Sequence, residues 1–84
     1  MPTPDRHDLR AAGAVVRSFR RERHWSQQEL GNRAKLSRGY ISRLERGLAH
    51  LRITSLWALA EAFGIRPQDL AHAIDREPGG RKST

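Results

Sequence analysis

Two serines eleven residues apart, each opening a short helical pattern, constrain this chain more than any other feature. Ser26 is a helix N-cap, and Glu29 three residues later completes a capping box. Leu30 and Ala34 give the following segment an apolar stripe, and Lys35 and Leu36 make a turn. Ser37 is a second N-cap, so another helix begins at Arg38, and Gly47 is a natural residue to end it. Helices this short bury too little surface to stand alone, so flanking helices must complete a core.

At 3.6 residues per turn, Ser37, Ile41, Leu44 and Leu48 fall on one side of the second helix. Gly39, Arg43 and Arg46 fall on the other with Ser42 beside them, and Arg38 stands in the first turn. Arginine's planar fork fits both the paired acceptors of guanine in the major groove and phosphate oxygens. A helix, a tight turn and a second helix with a basic outer face is a DNA-docking pattern. The wheel also puts Glu45 at the edge of the apolar side, where an unpaired carboxylate is costly. Arg20, near the inward stripe of the preceding helix, is the candidate partner.

These residues resemble the Cro/CI-type (XRE) helix-turn-helix family. Its pattern I-R-x-x-R, S-Q-x-x-L-A, Y-I-S-x-x-E-x-G is met by Val16-Arg17 with Arg20, by Ser26-Gln27 with Leu30-Gly31, and by Tyr40-Ile41-Ser42 with Glu45 and Gly47. The resemblance runs from about Ala12 to Ile74 and implies an all-α fold, a compact five-helix lambda-repressor-like domain. It implies base contacts from Arg38, Gly39, Ser42 and Arg43, and backbone contacts from Arg17, Gln27, Ser37, Tyr40, Arg46 and Arg52. Gln27 would also brace the recognition helix, and the Arg20–Glu45 pair is itself a family feature. Three positions depart from the pattern. Gly31 replaces the usual alanine, Lys35 stands where glycine often makes the turn, and Gly39 stands where a polar side chain often meets a base. The last shifts base reading onto Arg38 and Arg43.

The other helices follow from spacing. Asp8 caps a first helix running to about Arg23, with Ala12, Val16 and Phe19 inward and Arg17 and Arg21 outward. Trp25 and Leu30 have the spacing of a hydrophobic staple, which assigns Trp25 to the core. After a loop, in which His50 and Arg52 are within reach of a DNA backbone, a Thr54-Ser55 cap opens a helix with a Leu56, Leu59, Ala60, Phe63 stripe, closed by Gly64. Pro67 opens the last helix at its first position, with Asp69 in its first turn. Residues 1–8 read as a flexible arm, with Arg6 and the adjoining Arg10 as the charges available to a DNA groove, residues 9–74 as the domain, and residues 75–84 as a flexible tail.

A net charge of +7 points to a polyanion partner, nucleic acid or an anionic membrane, which the resemblance makes double-stranded DNA. The absence of cysteine removes disulfides and thiolate chemistry. His7, His24, His50 and His72 lack metal-ligand spacing, and no nucleophile, base and acid fall in a catalytic pattern, so neither metal, cofactor nor enzymatic activity is expected. No apolar run or leader suggests a membrane, and a cytoplasmic location is expected. Trp57, Leu70 and Ile74 are in excess of what a small core needs, and are assigned to a homodimer interface. With no separate sensing domain, a small-molecule effector is not expected. The expected function is a homodimeric, sequence-specific transcriptional regulator, resembling restriction–modification controllers; the alternative is an antitoxin that neutralises a protein partner.

Overall fold

The computed structural model describes residues 6–78, with side chains described from Leu9 onward. It contains α1 (Arg6–Glu22), α2 (Gln27–Ala34), α3 (Arg38–Glu45), α4 (Ile53–Phe63) and α5 (Pro67–Asp75), and no strand among the described residues. The all-α, five-helix expectation therefore holds. Helix α1 packs on α3 and α5, α2 on α3 and α4, and α4 on α5. Val16, Leu30, Ile41, Leu44, Leu59 and Leu70 are fully buried where these helices meet. The buried stripe of α1 is wider than the sequence suggested, taking in Ala11 and Val15 besides Ala12 and Val16, because α3 and α5 cover it from two sides.

Local signals set most of the boundaries. Ser26 Oγ accepts the Glu29 N–H and Ser37 Oγ accepts the Tyr40 N–H, both at 3.0 Å. Four helices close the same way, with a residue of positive φ followed by a bond back across the last turn. Gly47 (φ 73°) ends α3, where the Leu48 N–H reaches the Arg43 carbonyl at 2.8 Å. Gly64 (φ 78°) ends α4, and the Ile65 N–H reaches Ala60. In α1 the left-handed residue is His24 (φ 59°), with Trp25 bonding back to Arg20. Lys35 (φ 58°) makes the α2–α3 turn without glycine, and the Leu36 N–H closes on the Gly31 carbonyl at 2.8 Å. The turn is so tight that a Cβ at Gly31 would lie 2.5 Å from the Leu36 oxygen, so this chain has no room for the family's usual alanine.

Five expectations need correction. Helix α1 begins at Arg6, inside the expected arm and before the Asp8 cap; the side chains of Arg6, His7 and Asp8 lie outside the described residues. Helix α4 begins at Ile53 with Arg52 as an N-cap lacking a side-chain bond, while Ser55 turns into the core. Leu48 follows the αL glycine that ends α3, so it leaves the apolar face and is 60% exposed. Asp75 closes α5 instead of starting the tail. Leu70, expected at a dimer interface, is fully buried between α4 and α5, so it closes the monomer core and has no surface to offer a second copy.

A small aromatic cluster covers the end of the core beside α2. Phe19 and Trp25 meet Phe63 with ring centroids 5.3 and 6.2 Å away. Arg23 lies over these rings, with its centre 5.0 Å from the Phe63 centroid, and donates to the Phe19 and Phe63 carbonyls at 2.8 Å. The Arg33 guanidinium stands 4.2 Å from the Trp25 centroid, so the indole is engaged by the protein as expected.

Gly13 has a role that only the assembled fold reveals. It sits where α1 crosses the end of α3, and a Cβ there would collide with the Leu44 carbonyl oxygen and come within 3.0 Å of that of Glu45. Gly39, by contrast, is exposed, and a Cβ would meet only the Arg43 Nη1 at 3.5 Å. Gly13→Ala should therefore lower stability by about 2 kcal/mol through overpacking. Gly39→Ala should raise it by about 0.5–1 kcal/mol through helix propensity. Opposite shifts in thermal midpoint check this; a stabilising Gly13→Ala would refute the close crossing.

Candidate nucleic-acid interface

Within Arg38–Glu45 helix α3 divides as the wheel requires, while Ser37 and Leu48 at its two ends are exposed. Ile41, Leu44 and Glu45 are buried, Arg38, Gly39, Arg43 and Arg46 are exposed, and Ser42 is half-buried at the boundary. Its outer face therefore carries three arginines beside the gap left by Gly39. That gap gives the Arg43 side chain room to lie back along the helix toward Arg38.

The expected ion pair is present and has more partners than the sequence indicated. Arg20 grips Glu45 with both prongs, Nε to Oε2 at 2.7 Å and Nη2 to Oε1 at 2.9 Å. Its remaining Nη1 donates to the Trp25 carbonyl at 2.8 Å. Gln27 Nε2 donates to Glu45 Oε1 at 3.1 Å, and Arg17 Nε stands 3.6 Å from the same oxygen. The Glu45 side chain has no exposed surface. Burial works against its ionised form, but hydrogen bonds from Arg20 and Gln27 and the charges of Arg20 and Arg17 outweigh it. They hold the carboxyl below the usual range. The same bonds raise the Arg20 guanidinium further, so the pair stays ionised.

The backbone-contact candidates gather into two groups, one at each end of α3. Arg17, Gln27 and Arg46 surround its C-terminal end around Glu45. Gln27 uses one amide hydrogen on Glu45 and has a second to offer. The Arg17 side chain remains 45% exposed. At the N-terminal end, Ser37, Tyr40 and Arg52 line a shallow depression together with Lys35. Sequence reasoning treated Lys35 only as a turn residue; its cationic head extends this group. The Tyr40 hydroxyl donates to the His50 carbonyl at 2.6 Å, so its proton ties α3 to the following loop. Trp57 on α4 and Ile74 on α5 line neither of these groups.

No group of three or more His, Cys, Asp or Glu residues among the described ones could hold a metal ion. No described helix is long and apolar enough to cross a membrane.

Because the folded state lowers the Glu45 pKa, its contribution to stability is complete above the ordinary carboxyl value of 4.5 and is lost as pH falls through the lower folded value. The thermal midpoint should therefore drop on acidification below that value, and the drop should be shallower in Glu45→Gln. At neutral pH, Glu45→Ala should cost about 3 kcal/mol, since it strands Arg20. Equal acid sensitivity in wild type and Glu45→Gln would contradict this.

Known proteins are similar to this chain in sequence and fold. A helix-turn-helix family model matches residues 16–70. The Neisseria hypothetical transcription factor of Neisseria meningitidis serogroup B is 37% identical over 68 residues, covering 80% of this chain; the chain spans 64% of that relative's length. An HTH-type transcriptional regulator of Sinorhizobium fredii is 33% identical over 70 residues, covering 83% of this chain and 91% of the relative. The crystal structure of a restriction–modification controller protein from Aeromonas hydrophila superposes with a TM-score of 0.71 at 32% identity, over 75% of this chain and 96% of that one. The match spans the α2–turn–α3 unit and the helices that bury its inner face, and so the chain belongs to the helix-turn-helix family of XRE type, the DNA-binding transcriptional regulators.

Proposed function

We propose that the protein reads operator half-sites as a homodimer, with α3 in the major groove. Arg38 and Arg43 contact bases, guanine being the natural partner of their paired donors. Gly39 and Ser42 let the helix approach closely. The observation that carries this reading is the placement of cationic and polar groups at both ends of a bare basic helix face. An eight-residue helix is about 12 Å long, close to the width of the major groove. Its two ends therefore meet the two phosphate walls, with Arg17, Gln27 and Arg46 on one and Lys35, Ser37 and Arg52 on the other. Tyr40 serves the second wall indirectly, by fixing the loop that leads to Arg52.

Two exposed apolar side chains favour a second copy. Ile53 and Trp57 are 68% and 61% exposed and lie one turn apart on α4. Ile53 borders a hollow of about 290 Å3 shared with Leu56, Ala71 and Ile74. Trp57 and Ile74, with Ile53 added and Leu70 removed, form the proposed dimer surface. A dimer places two α3 helices on half-sites about one duplex turn apart. Regulation then follows protein concentration, as befits a restriction–modification controller, the kind of protein it resembles in fold and length.

Arg38→Ala should weaken binding to a selected operator by about 1–3 kcal/mol and relax preference at one base position, measured by titration against single-base variants. Unchanged affinity and preference would overturn the contact assignment. Sedimentation at micromolar concentration should give a dimer for the wild type and a 9.6 kDa species for Trp57→Lys. A wild-type monomer both free and on DNA would remove the dimer.

A further inference from the structure

An open cleft of about 710 Å3 separates α1 from the C-terminal end of α3, beside the face that α3 presents. Arg10, Arg17 and Arg21 line it from α1 and Arg46 lines it from the cap of α3. On α1, spacings of seven and four residues put the first three within an arc of about 40°, and the row from Arg10 to Arg21 is about 16 Å long. The row is not balanced by acids. Of the two carboxylates in the lining, Glu45 is held by Arg20, Gln27 and Arg17, and Glu22 points largely to solvent, 3.8 Å from Arg23. Arg10, Arg21 and Arg46 have no carboxylate partner among the described residues.

Packing sets where the arginines stand. The Arg10 stem lies over Gly47, where an added Cβ would come within 3.1 Å of the Arg10 Cγ. The Gly13 crossing brings the two helices close enough for the row to face Arg46. Arg17 and Arg21 are like charges one helical turn apart, an arrangement that destabilises a helix unless an anion lies between them. A row of forked cations this long matches successive phosphates on one strand better than it matches a single small anion.

We propose that this cleft is a second DNA contact, in which Arg10 and Arg21 hold phosphates of the duplex flank beyond the base pairs that α3 reads. The inference rests on the DNA-binding reading above and extends it past the groove. Its consequence is that affinity depends on duplex length outside the recognised sequence.

The test is a salt titration of affinity, using the full chain and a selected operator prepared in two lengths: one trimmed to the outermost bases contacted by α3, and one extended by about one turn, roughly ten base pairs, at each end. On the extended duplex, Arg10→Gln/Arg21→Gln should lower the slope of log K against log salt by about 2 per protomer, since each phosphate contact contributes about 0.9. Its affinity near physiological salt should fall about tenfold or more on that duplex and stay near wild type on the trimmed one, while Arg10→Lys/Arg21→Lys keeps most of the slope. No loss on either duplex, or equal losses on both, overturns the flank contact. Tripolyphosphate binding to the cleft without any dependence on duplex length would make it a free-anion site and overturn it equally. The preference of the wild type for selected over scrambled sequence tests α3 separately, because the length comparison can be run on a duplex of any sequence.

Discussion

A carboxylate buried where three helices meet has to be neutralised in place, and the way this happens at Glu45 fixes the rest of the domain. Arg20 from α1 and Gln27 from α2 converge on the last residue of α3. The recognition helix is thereby held by bonds of fixed direction as well as by apolar contact, which alone would tolerate rotation. Arg20 also holds the Trp25 carbonyl, so the same guanidinium sets the entry into α2. Removing one member leaves an uncompensated charge instead of a cavity, which is why the cluster governs orientation more than its size suggests.

The network also joins recognition to backbone contact. Gln27 and Arg17 both approach Glu45, and each has donors beyond those used there. In the proposed complex, a phosphate bound there is gripped by groups whose positions are set by α3 itself. At the other end, the Tyr40 hydroxyl anchors the loop bearing Arg52 to α3 through the His50 carbonyl. The backbone segments that bear Arg17 and Arg52 are thus tied to α3 by short, directed bonds. Such a frame lowers the ordering cost of binding.

Features that depend on neighbours in the chain were visible in the sequence, and features that depend on neighbours in space were not. The caps at Ser26 and Ser37, the αL glycines at 47 and 64, and Pro67 at a helix start act within one turn. The inward side of α3 and the Arg20–Glu45 pair followed from periodicity. Thr54-Ser55 mimicked a cap, but packing turned Ser55 inward and let Arg52 start the helix. His24 gave no signal as a helix terminator, because only the fold holds a non-glycine residue at positive φ there. Leu70 looked like surplus apolar surface until α4 and α5 closed over it. Gly13 and the cationic cleft are long-range features altogether, made by α1 crossing α3.

The two tryptophans occupy opposite environments. Trp25 stacks with the Phe63 ring and lies against the Arg33 guanidinium, whereas Trp57 stands largely in water on α4. The chain thus carries two built-in optical probes. The emission of one follows the integrity of the α1–α2–α4 junction, and that of the other follows whatever comes to shelter α4. With one indole silenced at a time, unfolding and self-association become separately observable in the same molecule without an added label.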